Sequence, residues 1–300
     1  MSLMKKTISL LEATKELMRD VHKKPVITTY DLYCYLLRLY QDKTFDGVKI
    51  RGVSLDAPEQ RTFDNIISSL QKSGFIHKVE GLDAYYLSGV EKPTTQQILC
   101  TVLPFSYISH LSAMEWHGIT DRIPSVVHVT ICSNKEFKSL ERNKISSELG
   151  GASVGKSFSF QRKLSVNDVN GKLINFHEMK CFTPQKEIYG TGGVRVSSIG
   201  HTFLSMLQHP EWCGGFSHVY DVFCENAEKH KAVIIRELDK SGNKIDRSRA
   251  GYIMDEVLGI KHPAIDKWKL EVMRGGSRKL SPENDFSPNY SEVWCLSLNL

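Results

Sequence analysis

A chain of 300 residues with 41% hydrophobic, 9% aromatic and 24% charged residues has the composition of a globular protein of about two domains, which excludes wholesale disorder. A formal charge of +5 and a sequence pI near 8.7 permit nucleic-acid binding without demanding it. Seven scattered cysteines, never in a C-x-x-C, argue against a zinc ribbon or a disulfide framework, and no secretory or bilayer-spanning apolar run is present. A cytoplasmic location with no membrane partner is the expectation.

Leu10, Ala13, Leu17 and Val21 form one helical stripe between Thr7 and His22, and Pro25 closes that segment. Thr29 can cap a second helix, in which Tyr33, Leu36, Leu37 and Tyr40 repeat at i, i+3, i+4 and i+7. The connection from Asp42 to Leu55 is longer than the turn of a minimal helix-turn-helix, and Val48-Lys49-Ile50-Arg51 could pair as a strand beside a later ribbon. The stretch from Ala57 to Leu87 organises this half. Phe63, Ile66, Ile67 and Leu70 make one apolar face, and Arg61, Asn65, Ser68 and Lys72 the other, with no acid among them. Asp56 and Pro58 mark the helix entrance and Gly74 its C-terminal cap. Phe75 to Val79 and Ala84 to Leu87 read as strands around the turn Glu80-Gly81-Leu82-Asp83.

Three helices and a ribbon predict a winged helix-turn-helix over residues 1–90, which would enter the major groove of double-stranded DNA. Gln60, Arg61 and Asn65 fall where base edges would be read; Lys72, Ser73, His77 and Lys78 fall where phosphates would lie. An ordinary amphipathic helix and hairpin would show the same pattern, since polar outer faces are the rule.

Residues 91–300 predict a second domain, of mixed α and β with a mostly antiparallel sheet, giving an α+β chain. Gly89 to Thr95 reads as the linker and Gln96 to Leu103 as a helix ended by Pro104. A helix capped by Ser109 and stopped at Gly118 follows, then a strand over Val126 to Cys132. Asn134 to Val196 reads as β-rich, with Phe158/Phe160, Leu173 to Phe176, Cys181-Phe182 and Val194-Arg195-Val196 as strand candidates. Ile199, Phe203, Met206 and Leu207, then Val219, Val222 and Phe223, then Ala250, Met254, Val257 and Leu258 mark three helices, and Val293 to Leu296 a late strand.

No constellation reads as a catalytic centre, and neither metal nor cofactor is expected. Gly150-Gly151-Ala152-Ser153-Val154-Gly155-Lys156-Ser157 matches the phosphate-cradling G-x-x-x-x-G-K-S pattern, but no buried strand precedes it and Phe158 to Arg162 alternates rather than opening a helix. His209, Cys213 and His218 are metal ligands by type, at a spacing that fits no usual zinc site. His110 and His117 lack a nearby nucleophile, and Glu237, Asp239 and Lys240 read as a solvated charged turn.

Three stretches behind the N-terminal module carry a resemblance. They are Tyr107-Ile108-Ser109-His110-Leu111-Ser112-Ala113 continuing to His117-Gly118, Val194-Arg195-Val196-Ser197-Ser198-Ile199-Gly200-His201-Thr202-Phe203-Leu204 leading to Gly214-Gly215, and Arg249-Ala250-Gly251-Tyr252 to Gly259, with the ending Trp294 to Asn299. In order and approximate spacing the chain resembles the AbiEi antitoxin family of type IV toxin–antitoxin systems. Gly200 and His201 stand where that family usually carries an acid and an arginine, and Ser205 where it carries Asp. The resemblance implies a non-enzymatic antitoxin and transcriptional repressor. Its winged domain would bind inverted repeats upstream of its own operon, and its second domain would counteract a nucleotidyltransferase-like toxin without needing a stable complex. Ser109, Ala113, Gly118, Gly214, Gly215 and Gly251 read as caps, turns and close packing. Two other classes compete: a winged-helix-targeted nuclease or nucleotidyltransferase, which needs metal-binding carboxylates, and a one-component sensor with a small ligand in its second domain.

Overall fold

The computed structural model describes residues 7–149, 160–179, 182–272 and 278–300. It is a mixed α and β fold with small, mostly antiparallel sheets, and no helix among the described residues is long and apolar enough to cross a membrane. The chain divides into two compact units, Met1–Ser106 with Ile131–Leu173 and Glu178–Arg195, and Tyr107–Thr130 with Ile174–His177 and Val196–Leu300. The first unit thus includes segments from beyond residue 106.

The first unit opens with β1 (Thr7–Ser9), α1 (Leu10–Val21), β2 (Val26–Thr28), α2 (Thr29–Asp42), β3 (Thr44–Phe45), β4 (Val48–Arg51), α3 (Gln60–Lys72), β5 (Ile76–Lys78) and β6 (Ala84–Leu87). Ser9 caps α1 by accepting from the Glu12 amide at 3.2 Å, and α2 starts on a capping box between Thr28 and Asp31, one residue before the expected Thr29. α3 begins only at Gln60, with Glu59 as an N-cap that makes no side-chain bond. Asp56, the expected entrance residue, is instead paired with Lys43 at 2.9 Å.

Met18, Leu36, Phe63, Leu70 and Ile76 are buried together between the three helices and the antiparallel sheet β2-β6-β5. Each such side chain contributes about 1.5–3 kcal/mol on burial. β4 forms where expected but pairs parallel with β1 and antiparallel with β3, in a sheet separate from the β5–β6 ribbon. That pairing buries Ile50 against Leu17, Leu39 and Tyr40 in a second small core.

Beyond β6 come α4 (Thr95–Val102), β7 (Ser106–Ile108), α5 (His110–Trp116), β8 (Val126–Ile131), α6 (Asn134–Leu149), β9 (Asp168–Val169) and β10 (Lys172–Glu178). α6 corrects the β-rich reading of residues 134–196. Its signal was a capping box: the Glu136 amide donates to Ser133 Oγ at 3.3 Å while Glu136 Oε2 accepts from the Ser133 amide at 3.1 Å. Of the other strand candidates there, Leu173 to Phe176 lies in β10, Phe160 and Phe182 lie in no strand, and Arg195 and Val196 make only isolated bridges. Phe158, Cys181 and the whole Gly150–Ser157 motif lie outside the described residues.

α6 belongs to the first unit, where Tyr30 Oη donates to Glu148 at 2.8 Å, and so does β9, whose Val169 carbonyl accepts from Thr95 Oγ1 at 3.3 Å. Arg195, also of this unit, is buried and closes the end of α4. Its guanidinium donates to the carbonyls of Cys100, Leu103 (2.8 Å) and Ser106 (2.8 Å).

The second unit is mostly helical, with β7, β8 and β10 side by side in that order. It continues with α7 (Ile199–Gln208), a 3-10 turn (Pro210–Trp212), α8 (Phe216–Ser241), α9 (Lys244–Gly251), a π-helical turn (Tyr252–Val257), α10 (Pro263–Glu271), β11 (Tyr290–Ser291) and β12 (Leu296–Ser297). Phe203, Phe223, Met254, Trp268 and Trp294 are among the residues filling its core. Gly200 lets α7 lie directly on α8, since a Cβ there would come within 2.6 Å of the Val233 carbonyl oxygen.

Candidate nucleic-acid interface

α3 is two-faced because its apolar residues recur one turn apart. Phe63, Ile66 and Leu70 are buried, while Gln60, Arg61, Asn65 and Lys72 are exposed. Gly74, with φ of 66°, reverses the chain into β5 in the left-handed region that a side chain resists. Ser73, His77 and Lys78 are therefore carried on the same short segment as the C-terminal end of α3, and all are exposed.

The seven expected contact residues are not equally available. Arg61, Asn65 and Lys72 have no side-chain partner among the described residues. Gln60 Nε2 donates to Asp64 at 2.9 Å, so an acid does sit on the outer surface of the helix, where the Arg61/Asn65/Ser68/Lys72 stripe shows none. Ser73 Oγ donates to the Leu70 carbonyl at 3.0 Å, which ties it to the helix end. His77 stacks on Tyr86 with ring centres 5.1 Å apart and shares a 2.8 Å hydrogen bond with Ser88. Lys78 lies over the Tyr85 ring at 4.8 Å and is paired with Asp83 at 3.1 Å. A phosphate would meet Lys72 unencumbered and would have to draw Lys78 from a weak surface pair.

The other candidates resolve into packing. His209, Cys213 and His218 do not assemble as ligands: Cys213 is in the hydrophobic core, His218 bonds Thr120 at 2.9 Å and His209 stacks on Trp212. Glu237 and Asp239 lie on α8 rather than in a turn; Asp239 accepts from the Trp268 indole at 2.7 Å and Glu237 faces His201 at 3.2 Å. No acid side chain fits at Gly200, and the neighbouring His201 pairs with Glu237. Ser205 returns its hydroxyl to the His201 carbonyl at 2.9 Å. His117, expected at a helix end, bonds the Ser197 carbonyl at 2.7 Å. Ser109 is the N-cap of α5 by position, but its hydroxyl is bonded to His110 Nδ1 at 2.8 Å rather than to a helix amide.

The structure also gathers His110, His128 and His177, a group the sequence reading did not find. No local motif could have shown it, because His128 and His177, which bond each other at 2.8 Å, are separated by 49 positions.

No family model matches the chain, and no curated protein matches it. Among solved structures it is similar to the crystal structure of the RV2827C protein from Mycobacterium tuberculosis, with a TM-score of 0.51 and 9% sequence identity over 97% of this chain and 92% of that one. At that identity the similarity is one of fold.

Proposed function

We propose that residues 7–90 form a winged helix-turn-helix and that the chain is a DNA-binding repressor and antitoxin of the AbiEi kind. On this reading it regulates its own operon and counteracts a nucleotidyltransferase-like toxin. The observation that carries the proposal is the two-faced α3, whose inner residues are buried and whose Arg61, Asn65 and Lys72 are exposed and have no side-chain partner among the described residues, ahead of the β5–β6 ribbon. A guanidinium matches the paired acceptors of guanine and an amide matches adenine, whereas an ammonium reads only charge. The antitoxin half of the reading is supported by the ordered motifs around Ser109, Val194 and Arg249.

The test is fluorescence anisotropy of the full chain on its own upstream DNA and on random DNA, across a salt series. Arg61→Ala is expected to lose about 1–3 kcal/mol on the upstream site and to narrow the gap to random DNA. Binding to the upstream region no tighter than to random DNA would overturn the repressor reading. Failure of co-expression to relieve the toxicity of the neighbouring gene product would overturn the antitoxin reading.

A further inference from the structure

In the second unit three imidazoles from three elements converge. His110 opens α5, His128 lies on β8 and His177 on β10, and one nitrogen of each lies within 4.8 Å of the others. His110 and His177 are only 2% and 4% exposed, so bulk water does not solvate them. His128 Nδ1 and His177 Nε2 are 2.8 Å apart, and Ser109 Oγ holds His110 Nδ1 at 2.8 Å, which leaves His110 Nε2 as the nitrogen to offer. A metal-bound imidazole is usually held in this way through its other nitrogen. Trp212 closes the group, with its ring 4.0 Å from that of His177 and edge-on to His110 at 4.9 Å.

The backbone is forced at the same place. His110 has φ of 50°, in the left-handed region, which costs energy for a residue with a side chain and is retained where surrounding structure demands it. Burial, reinforced by the neighbouring histidines, pushes His110 down to about 2 and His177 down to about 4, and burial lowers His128.

We propose that His110, His128 and His177 bind one divalent transition-metal ion of the zinc class, with a single enclosed water molecule as the fourth ligand. Imidazole nitrogens are a donor set such ions prefer, and hard cations such as magnesium would not compete for it. Nitrogens bound tetrahedrally at the usual zinc distance lie about 3.4 Å apart. The His128–His177 pair, at 2.8 Å, opens by about half an ångström to meet that value, and the other pairs lie within 4.8 Å. The site is independent of the DNA reading, because all three ligands lie in the unit that does not contain α3.

The test uses the full chain, free of any affinity tag and stripped of metal, titrated with Zn²⁺ against a chromophoric chelator and with Co²⁺ by visible absorption. The expected result is one ion per chain, a four-coordinate Co²⁺ spectrum, and affinity about 100-fold or more weaker in His128→Gln and His177→Gln. The control His218→Gln should bind as the parent does. X-ray absorption at the zinc edge of the parent protein reads imidazole coordination directly and holds even if a variant fails to fold. Absence of stoichiometric binding, binding unchanged in both cluster variants, or a zinc edge without imidazole scattering would overturn the site.

Discussion

Replacing Gly251 with alanine separates two readings of a helical glycine. In an exposed helix the change would stabilise by about 1 kcal/mol, because alanine has the better helix propensity. Here α9 ends against Trp294, which is completely buried, and a Cβ on Gly251 would lie 2.7 Å from Cζ2 of that ring and closer still to Cζ3 and Cη2. Carbon atoms rest at about 3.5–4.0 Å, so the ring would have to retreat by roughly 1 Å or more into a filled core. Overpacking of this size costs about 3 kcal/mol, which leaves Gly251→Ala about 2 kcal/mol less stable after the propensity gain. In a chain of 300 residues that lowers Tm by about 3 °C. The assay is urea unfolding followed by tryptophan fluorescence, with a double-mutant cycle through Trp294→Phe. Phenylalanine lacks the outer edge of the indole, and the indole N–H it removes has no partner among the described residues. The cost of Gly251→Ala should fall by about 1.5 kcal/mol or more in the Trp294→Phe background. An alanine variant as stable as the parent, or an undiminished loss in the double variant, would refute the packing argument.

Lys78→Ala should weaken binding to cognate and random DNA alike and reduce the salt slope by about one, checked in the same anisotropy series. Arg195→Met should cost about 3–5 kcal/mol in denaturant, because it orphans the carbonyls of Cys100, Leu103 and Ser106 at once. Arg195→Lys should recover little, since one ammonium cannot span three acceptors, and a loss below about 0.5 kcal/mol in Arg195→Met would contradict the role. Burial pushes the Asp255 carboxyl up, but Lys269 at 2.8 Å and Lys261 at 2.9 Å outweigh it and hold the group below its usual value. A carboxylate lowered by folding contributes stability above its unfolded pKa of about 3.9, and that stability is lost as pH falls through the folded value. Asp255→Asn should therefore be about 1–2 kcal/mol less stable at pH 7 and converge with the parent as the pH is taken below about 4, while a gap unchanged down to pH 3 would rule out the ion pairs.

The sequence by itself determined the N-terminal helices, their inward faces and most of their ends. An amphipathic helix is a local object: the i, i+3, i+4, i+7 pattern of Tyr33, Leu36, Leu37 and Tyr40 or of Phe63, Ile66 and Leu70 records which face is buried, and Gly74 where the chain must turn. α6 was equally local and was missed only because its apolar residues are sparse, although Ser133 and Glu136 spelled its cap. Partner choice is not local. β4 reads as a strand from its own residues, but its pairing with β1 rather than with the β5–β6 ribbon depends on where Ile50 finds a core. Gly200 and Gly251 read as small residues; only the packed Val233 backbone and the Trp294 ring show what they make room for. His110, His128 and His177 are three ordinary histidines in the sequence, and the tertiary structure alone decided that they meet, because β8 and β10 pack beside the start of α5 and close 49 residues of chain between two touching rings.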